Sequence, residues 1–311
     1  MPLRYLVPLA LRTSGANTIK EQGSDCSPVK LISYTIFDLK NISKKSVVEE
    51  IHVNVNGLQL ALDKIENFIP DGSLLVTYGI TAIRQVIHPL ALRNSINLGE
   101  IFYKFFNIAQ FDDIFIKPLM PSSTTTNDCC NNLNEEICAI CERLCDLVTN
   151  GYLSEDSFDL NKANHLIKEK FIKGENVNEL RPYIDEVRVE LQNGLCETEV
   201  DPSVIVRARG LPWQATDLDV AQFFIGLNIA PGGVALCLSA EGRRNGEALV
   251  RFETNEQREL ALKRNRHFLN NRYIEVYRAT KEDFLQVIAS SSSLVPLLVI
   301  SDFTDSASYK E

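Results

Sequence analysis

Three short stretches in the last third of the chain carry residue types that can grip flat, electron-rich rings. "RGLPW" holds Arg209 and Trp213, the latter the only tryptophan among 311 residues. "EGRRNG" holds Arg243 and Arg244, and "NNRYIEVY" holds Arg272 and Tyr273. Guanidinium planes and aromatic rings can sandwich a nucleobase, at about 1–3 kcal/mol per stacked base. Arginine also matches the O6/N7 edge of guanine with two parallel hydrogen bonds. Each residue has a plainer explanation as well. Trp213 could be a core residue, although the Gly-Leu-Pro turn before it favours a loop. Tyr273 and Tyr277 could simply pack, and Arg243 and Arg244 could decorate a solvated turn.

The elements that must position these residues follow from periodicity and capping. A strand over 204–208 leads into "RGLPW". A helix follows, opened by Thr216 with Asp219 three residues later, close to a capping box, and burying Val220, Phe223 and Phe224. Strands at 234–239 and 247–252 flank the turn "AEGRRNG". Thr254 with Gln257 opens a second helix that buries Leu260 and Ala261. A last strand "RYIEVYRA" ends at Thr280, which caps "KEDFLQVIA". The order β-α-β-β-α-β is the ferredoxin-like plan of the RNA recognition motif (RRM). That motif stacks bases on aromatic residues of two strands. In "NGEALVRF" (245–252), Glu247 and Leu249 stand where rings belong, and Arg207 replaces the aromatic of the first strand. An ion pair between Arg207 and Glu247 would close that face further. Binding is therefore expected to move from the sheet to the loops.

"RARGLPW", "GRRNGEALVRF" and "RYIEVYRAT" resemble the quasi-RNA-recognition motif of heterogeneous nuclear ribonucleoproteins F and H. They resemble still more the first such motif of the epithelial splicing regulatory (Fusilli) family, from about Val204 to Ala289. The resemblance implies a loop cage for guanines of single-stranded RNA, built from Arg209, Trp213 and Tyr273 and supported by Arg243 and Arg272. It also implies a nuclear protein that binds G-rich or GU-rich pre-mRNA and regulates alternative splicing.

The first part reads as α/β. "LISYTIFDL" and "VVEEIHVNV" read as strands, as does "SLLVTYG". "TAIRQVIHPLA" is a mixed segment. Helices are expected in "GLQLALDKIENFI", "LGEIFYKFFNIAQF", "NEEICAICERLCDLV" and "NKANHLIKEKFI". "YTIFDL", "IRQVIHP" and "FYKFFNIAQF" are similar to the first domain of the same family, which has a ribonuclease-H-like exonuclease fold. Such exonucleases hold two metals with four carboxylates, beginning with an Asp-x-Glu pair. Here that pair reads Asp38-Leu39-Lys40, and the family's "FFDL" reads "FFNI", with Asn107 for the aspartate. His165 lacks the usual aspartate five residues on, where Lys170 stands. A lysine in the metal pocket opposes cation binding, so Asp38 is expected to be a structural remnant and the chain not an enzyme. A metal-dependent 3′–5′ exonuclease guided by the RRM, and a protein-binding module, are the alternatives.

Cys138, Cys141 and Cys145 recur at i, i+3 and i+7. They could join Cys129 or Cys130 around zinc or lie on a buried stripe, and the stripe is favoured. No metal or cofactor is expected. The eight cysteines are too dispersed for a disulfide scaffold, which suggests a reducing compartment. No apolar run is long enough to span a membrane. The N-terminal "MPLRYLVPLALRT" is interrupted by Pro8 and Arg12 and fits a first strand better than a signal peptide. Net charge is −9, yet residues 201–290 carry 12 Lys and Arg against 11 Asp and Glu. The acid is concentrated in the first part, so nucleic acid should meet the second. The fold class expected is α/β plus α+β. A degenerate ribonuclease-H-like exonuclease domain (1–190), with possible protein partners, precedes a linker (191–202), a ferredoxin-like RRM domain (203–290) and a tail (291–311).

Overall fold

The computed structural model describes residues 3–15, 21–42, 47–54, 56–114, 133–154, 158, 184–192, 200–239 and 241–291. The helix expected over 161–172 with His165, Cys129, Cys130, most of the linker and the tail beyond 291 lie outside them. Strand β1 (Tyr5–Thr13) is buried along nearly all its length. It pairs antiparallel with β2 (Val29–Tyr34) through Leu9–Thr13 and with β3 (Phe37–Asp38) through Tyr5 and Leu6. The single strand expected over 31–39 thus divides in two. The break falls opposite Pro8, which has no N–H to give; its carbonyl accepts from Thr35 N at 3.1 Å.

Strand β4 (Glu49–His52) extends the antiparallel side, while β5 (Leu74–Thr77) and β6 (Lys104–Asn107) run parallel on the other. Strand β7 (Ile184–Glu186) closes that edge antiparallel, giving the order β4-β2-β1-β5-β6-β7. Helix α1 (Leu58–Phe68) packs Leu58, Leu62 and Ile65 on one face. Helix α2 (His88–Arg93) adds Leu90 to the same cluster, and α3 (Leu133–Thr149) packs Ile140, Leu144 and Leu147 on the opposite face.

Two expectations are corrected here. "LGEIFYKFFNIAQF" is not a helix but a 3-10 turn, β6 and a second 3-10 segment. Phe105 and Phe106 are adjacent and both fully buried, Phe105 in one core cluster and Phe106 in the other. Only a strand sends neighbours to opposite faces, and a strand covered on both sides shows no alternation to read. The mixed segment 81–91 is helical, a π-turn over Ala82–Ile87 running into α2. Ile83 through His88 are all buried, so no amphipathic period marks it.

The second sheet follows β8 (Ile205–Arg209), α4 (Asp217–Phe223), β9 (Ile229–Leu238), β10 (Arg244–Phe252), α5 (Asn255–Leu262), β11 (His267–Leu269), β12 (Arg272–Arg278) and α6 (Lys281–Ser291). Its order is β11-β12-β8-β10-β9. The Thr216–Asp219 capping box is complete, and Thr254 and Thr280 cap their helices through Gln257 N and Asp283 N. Strand β9 is longer than the segment 234–239, and β11 was not anticipated.

One apolar cluster runs from the first sheet into the second. At its centre Arg84, on the π-turn, is fully buried and reaches Gly226 O at 2.8 Å, Asn228 Oδ1 at 3.0 Å, Asp185 Oδ1 at 3.1 Å and Glu186 O at 2.9 Å. Arg264 donates to Phe223 O, Ile225 O, Arg84 O and Gln85 Oε1, at 2.7 to 3.2 Å. Phe223 is the last residue of α4 and Ile225 and Gly226 lie just beyond its C-cap, so two guanidinium groups satisfy carbonyls at the negative end of the helix dipole. Burial lowers Arg264 to about 9, which still leaves it charged at neutral pH. Gly226 has φ +87, and a Cβ there would stand 2.3 Å from Arg84 O. The chains meet too closely for any other residue.

Arg264→Leu should destabilise the protein by at least about 3 kcal/mol, because buried carbonyls lose charged donors; denaturant unfolding measures this. His88 is buried, with Nε2 2.9 Å from Phe102 O, and burial lowers it to about 4. The unfolded chain binds the proton more readily, so stability should fall as pH drops from 6.5 towards 4. The loss should be about 3 kcal/mol and absent in His88→Gln, as read by melts across that range.

Candidate nucleic-acid interface

Alternation along the strands divides the second sheet into two faces. Val206, Ala208, Ala248, Val250, Ile274 and Val276 face the helices and the shared core. Ile205, Arg207, Glu247, Leu249 and Tyr277 face the other way, where a nucleic-acid platform would lie. That face is covered. Phe284 of α6 is fully buried against Ile205, Ala235, Cys237 and Leu249. Arg207 bridges Glu247 Oε2 at 3.0 Å and Asp283 Oδ1 at 3.1 Å. Burial alone would lower Arg207, but its hydrogen bond to Glu247 and the charges of Asp283 and Glu247 outweigh it and raise it. The Arg207–Glu247 pair read from the sequence is therefore present, and α6 adds a lid that the sequence reading did not foresee.

The loops gather at one edge. Gly210 N and Leu211 N both donate to Gly246 O, at 3.0 and 2.9 Å. A Cβ on Gly210, which has φ +97, would stand 3.1 Å from Tyr273 O. The "RGLPW" turn is thus pinned between the start of β10 and the start of β12. Trp213 is 75% exposed and Tyr273 59% exposed, so neither is a core residue. Trp213 Cδ1 lies 3.9 Å from where a side chain on Gly246 would begin. Arg209 keeps 63% of its side chain exposed while its Nε stands 3.5 Å from Glu247 Oε1. Arg243 stands exposed on the β9–β10 turn and Arg272 at the start of β12. Arg244 differs: it donates back to Ala215 O and braces the loop that carries Trp213. Tyr277 is 39% exposed on the covered face, with β8 pairing it opposite Arg207.

Phe268 was missed. It is 67% exposed on β11 and meets Tyr273 edge-on, with ring centroids 6.5 Å apart. Its signal was the hairpin "HFLNNRY": two-residue spacing around Asn-Asn places Phe268 opposite Tyr273. Asn270 adopts φ 53, as such a turn requires.

The other sequence candidates have structural partners. Asp38 is gripped by Arg4 through Nη2 at 2.8 Å and Nε at 3.2 Å, and it accepts from Lys40 N at 3.0 Å. The Arg4 hydrogen bonds hold its carboxyl below the usual range. Asn107 Oδ1 accepts from Gly79 N and Ala109 N, closing the end of β6. Cys138 is exposed beside the buried stripe of α3, not on it, while Cys141 and Cys145 are half-buried against the core. Burial pushes the Cys141 thiol up to about 12, against the thiolate that zinc requires. Among the described residues no helix is long and apolar enough to cross a membrane.

Residues 206–295 match the family model described as RRM domain, and this part of the chain is an RRM domain. It is similar to G-rich sequence factor 1 of Homo sapiens, at 38% identity over 30% of this chain and 20% of that protein. It is also similar to heterogeneous nuclear ribonucleoprotein F of Macaca fascicularis, at 42% identity over 25% of this chain and 19% of that one. The chain thus spans about a fifth of the length of these relatives. Among solved structures, the Glorund qRRM2 domain shares 36% identity over 27% of this chain and 97% of its own, with a TM-score of 0.26.

The covered sheet leads to an expected outcome for RNA binding. Arg207→Ala should lower the melting temperature yet change RNA affinity by less than about twofold, because its guanidinium is spent on Glu247 and Asp283. Titration of the variant beside the parent protein checks it.

Proposed function

We propose that the chain binds single-stranded G-rich RNA through the loop edge of its RRM domain and, by that binding, regulates alternative splicing of pre-mRNA in the nucleus. One observation carries this reading. Trp213, Tyr273 and the guanidinium groups of Arg209, Arg243 and Arg272 are exposed together at one edge of the sheet, on turns and on the strand ends beside them, while α6 covers the sheet. Guanines would stack between Trp213, Tyr273 and Arg209, with an arginine reading the O6/N7 edge. Arg243 and Arg272 would meet phosphates. The G-rich specificity stated in the name of one relative supports the choice of base. The Fusilli resemblance supports the role in splicing.

The reading assigns residues 1–190 to a ribonuclease-H-like domain without nuclease activity, 191–202 to a linker, 203–290 to the RRM domain and 291–311 to a tail. The strand order β4-β2-β1-β5-β6, antiparallel then parallel, supports the fold assignment. Asp38 bound to Arg4, Lys40 beside it and Asn107 spent on backbone amides support the loss of catalysis. Its surface would then serve protein partners. Incubation with magnesium and single-stranded RNA should leave the RNA intact.

The test is fluorescence anisotropy with the full chain and a labelled RNA of repeated GG steps, against an A/C-rich RNA of equal length. Trp213→Ala and Tyr273→Ala should each weaken G-rich binding about tenfold, and the pair should abolish it. Arg243→Ala and Arg272→Ala should each flatten the dependence of affinity on salt by about one charge. Equal or absent binding to both RNAs would overturn the reading and turn attention to protein partners.

A further inference from the structure

The two sheets leave two clefts at their junction, of similar size and opposite charge. One, of about 350 Å³, is lined by Asp185, Glu186, Glu253 and Glu256 together with Lys104 and Arg188. The other, of about 300 Å³, is lined among others by Cys26, Arg93, Gln222, Arg264, His267 and Phe268, and among the described residues no carboxylate lines it. We propose that this second cleft is a nucleotide subsite, which takes the nucleotide of single-stranded RNA next to those held at the loop edge. The inference rests on the loop edge as the RNA site and extends that site into the N-terminal region.

Phe268 joins the two places. It lines the cleft, and its exposed ring meets the ring of Tyr273 edge-on. A strand with one base on Tyr273 can place its next base on Phe268 and follow it inward, because stacking tolerates any base. The cleft volume lies at the lower end of small-molecule sites, roughly 300–1,000 Å³, which suits one nucleotide. Charge selects between the clefts. A polyanion is repelled by the four carboxylates of the first and drawn to the second by Arg93 at its mouth and Arg264 in its floor.

The two arginines act differently. Arg264 is buried, and its donors go to three carbonyls and Gln85, so it supplies field and no direct contact. Arg93 is exposed, and Nη1 is anchored on Cys26 O at 3.0 Å, which orients the guanidinium for a phosphate. His267 ties the wall together. Its Nε2 lies 2.5 Å from Ser24 O and its Nδ1 3.3 Å from Cys26 Sγ. The Ser24 carbonyl accepts from Nε2–H, so Nδ1 accepts the hydrogen bond of the Cys26 S–H. Cys26 sits at φ 57, a conformation a non-glycine residue keeps only when its surroundings hold it. The nearby Asp25 carboxylate is engaged by Ser27 N and Oγ, at 3.0 and 2.8 Å.

The test uses the full chain and an eight-nucleotide RNA with one GG step and a single 4-thiouridine placed on either side of it in turn. Irradiation followed by peptide mapping should show the thiouridine adjoining the GG step attached within 23–26 or 267–270. Arg93→Glu should weaken this RNA about tenfold, and Arg93→Lys, which keeps the charge, should recover most of the loss. Trp213→Ala serves as the control for the loop edge. If RNA binds and Trp213→Ala weakens it about tenfold, but no attachment falls in the cleft and Arg93→Glu binds as well as the parent, the subsite is overturned and the loop edge stands. If attachment falls in the cleft and Trp213→Ala has no effect, the subsite stands and the loop edge is overturned. Absence of any RNA binding overturns both. Should Arg93→Glu fail to fold, the attachment map of the parent protein decides alone.

Discussion

The contact between Arg84 and Arg264 holds this molecule to a single arrangement. Arg264 Nη2 donates to the Arg84 carbonyl at 3.1 Å, and each buried cation loses hydration worth several kcal/mol. They persist because each meets a dense set of acceptors. Arg84 has Asp185, Asn228 and two carbonyls; Arg264 has three carbonyls and a glutamine oxygen. The carbonyls at the end of α4 come from the RRM domain, whereas Asp185 and the π-turn carrying Arg84 come from the N-terminal sheet. Neither half satisfies its own groups alone. Asn228 doubles the link: its Nδ2 donates to Glu186 O and Glu253 Oε2, while its Oδ1 accepts from Arg84.

A rigid junction changes what an RRM domain can offer. The helix side of the sheet is spent on the core shared with the first sheet, and the opposite side is spent on α6. What stays open is the rim of loops. Gly210, Gly246 and the carbonyl of Tyr273 fix those loops to one another, so the exposed rings stand on a braced frame. Preorganised rings lose little conformational freedom when a base arrives, which is the condition for strong stacking from few residues.

The fold of the second part was legible because its signals are local. Thr216, Thr254 and Thr280 each mark a helix start, and strands of two-residue period lie between. The loop candidates were legible for the same reason, since Pro212 and the glycines announce turns. The first part was harder. β6 is buried on both faces, so "KFFN" carries no alternation, and the π-turn is buried all round, so "AIRQVI" carries no helical period. Arg84 and Arg264 were illegible as partners, because nothing local shows that a side chain 180 residues on will donate to the Arg84 carbonyl. The lid was half legible: a helix "KEDFLQVIA" (281–289) was expected, but its seat on Leu249 depends on tertiary packing.

Closure of the sheet and rigidity of the junction bear on the same question, how one RRM domain could select a strand. An open sheet stacks any base and reads little. A rim of rings and arginines presents fewer surfaces but flanks them with donors in fixed positions, and a guanine edge with two acceptors is the best match for a guanidinium. The junction then sets direction. With Phe268 on one side of the hairpin and the Gly23–Cys26 loop held against His267, the basic cleft opens from the rim, while the acidic one opens elsewhere on the same junction. If RNA binds as proposed, a strand leaving the rim towards the basic cleft would meet a favourable potential, and the N-terminal region would impose polarity on it without contributing a base-reading side chain of its own.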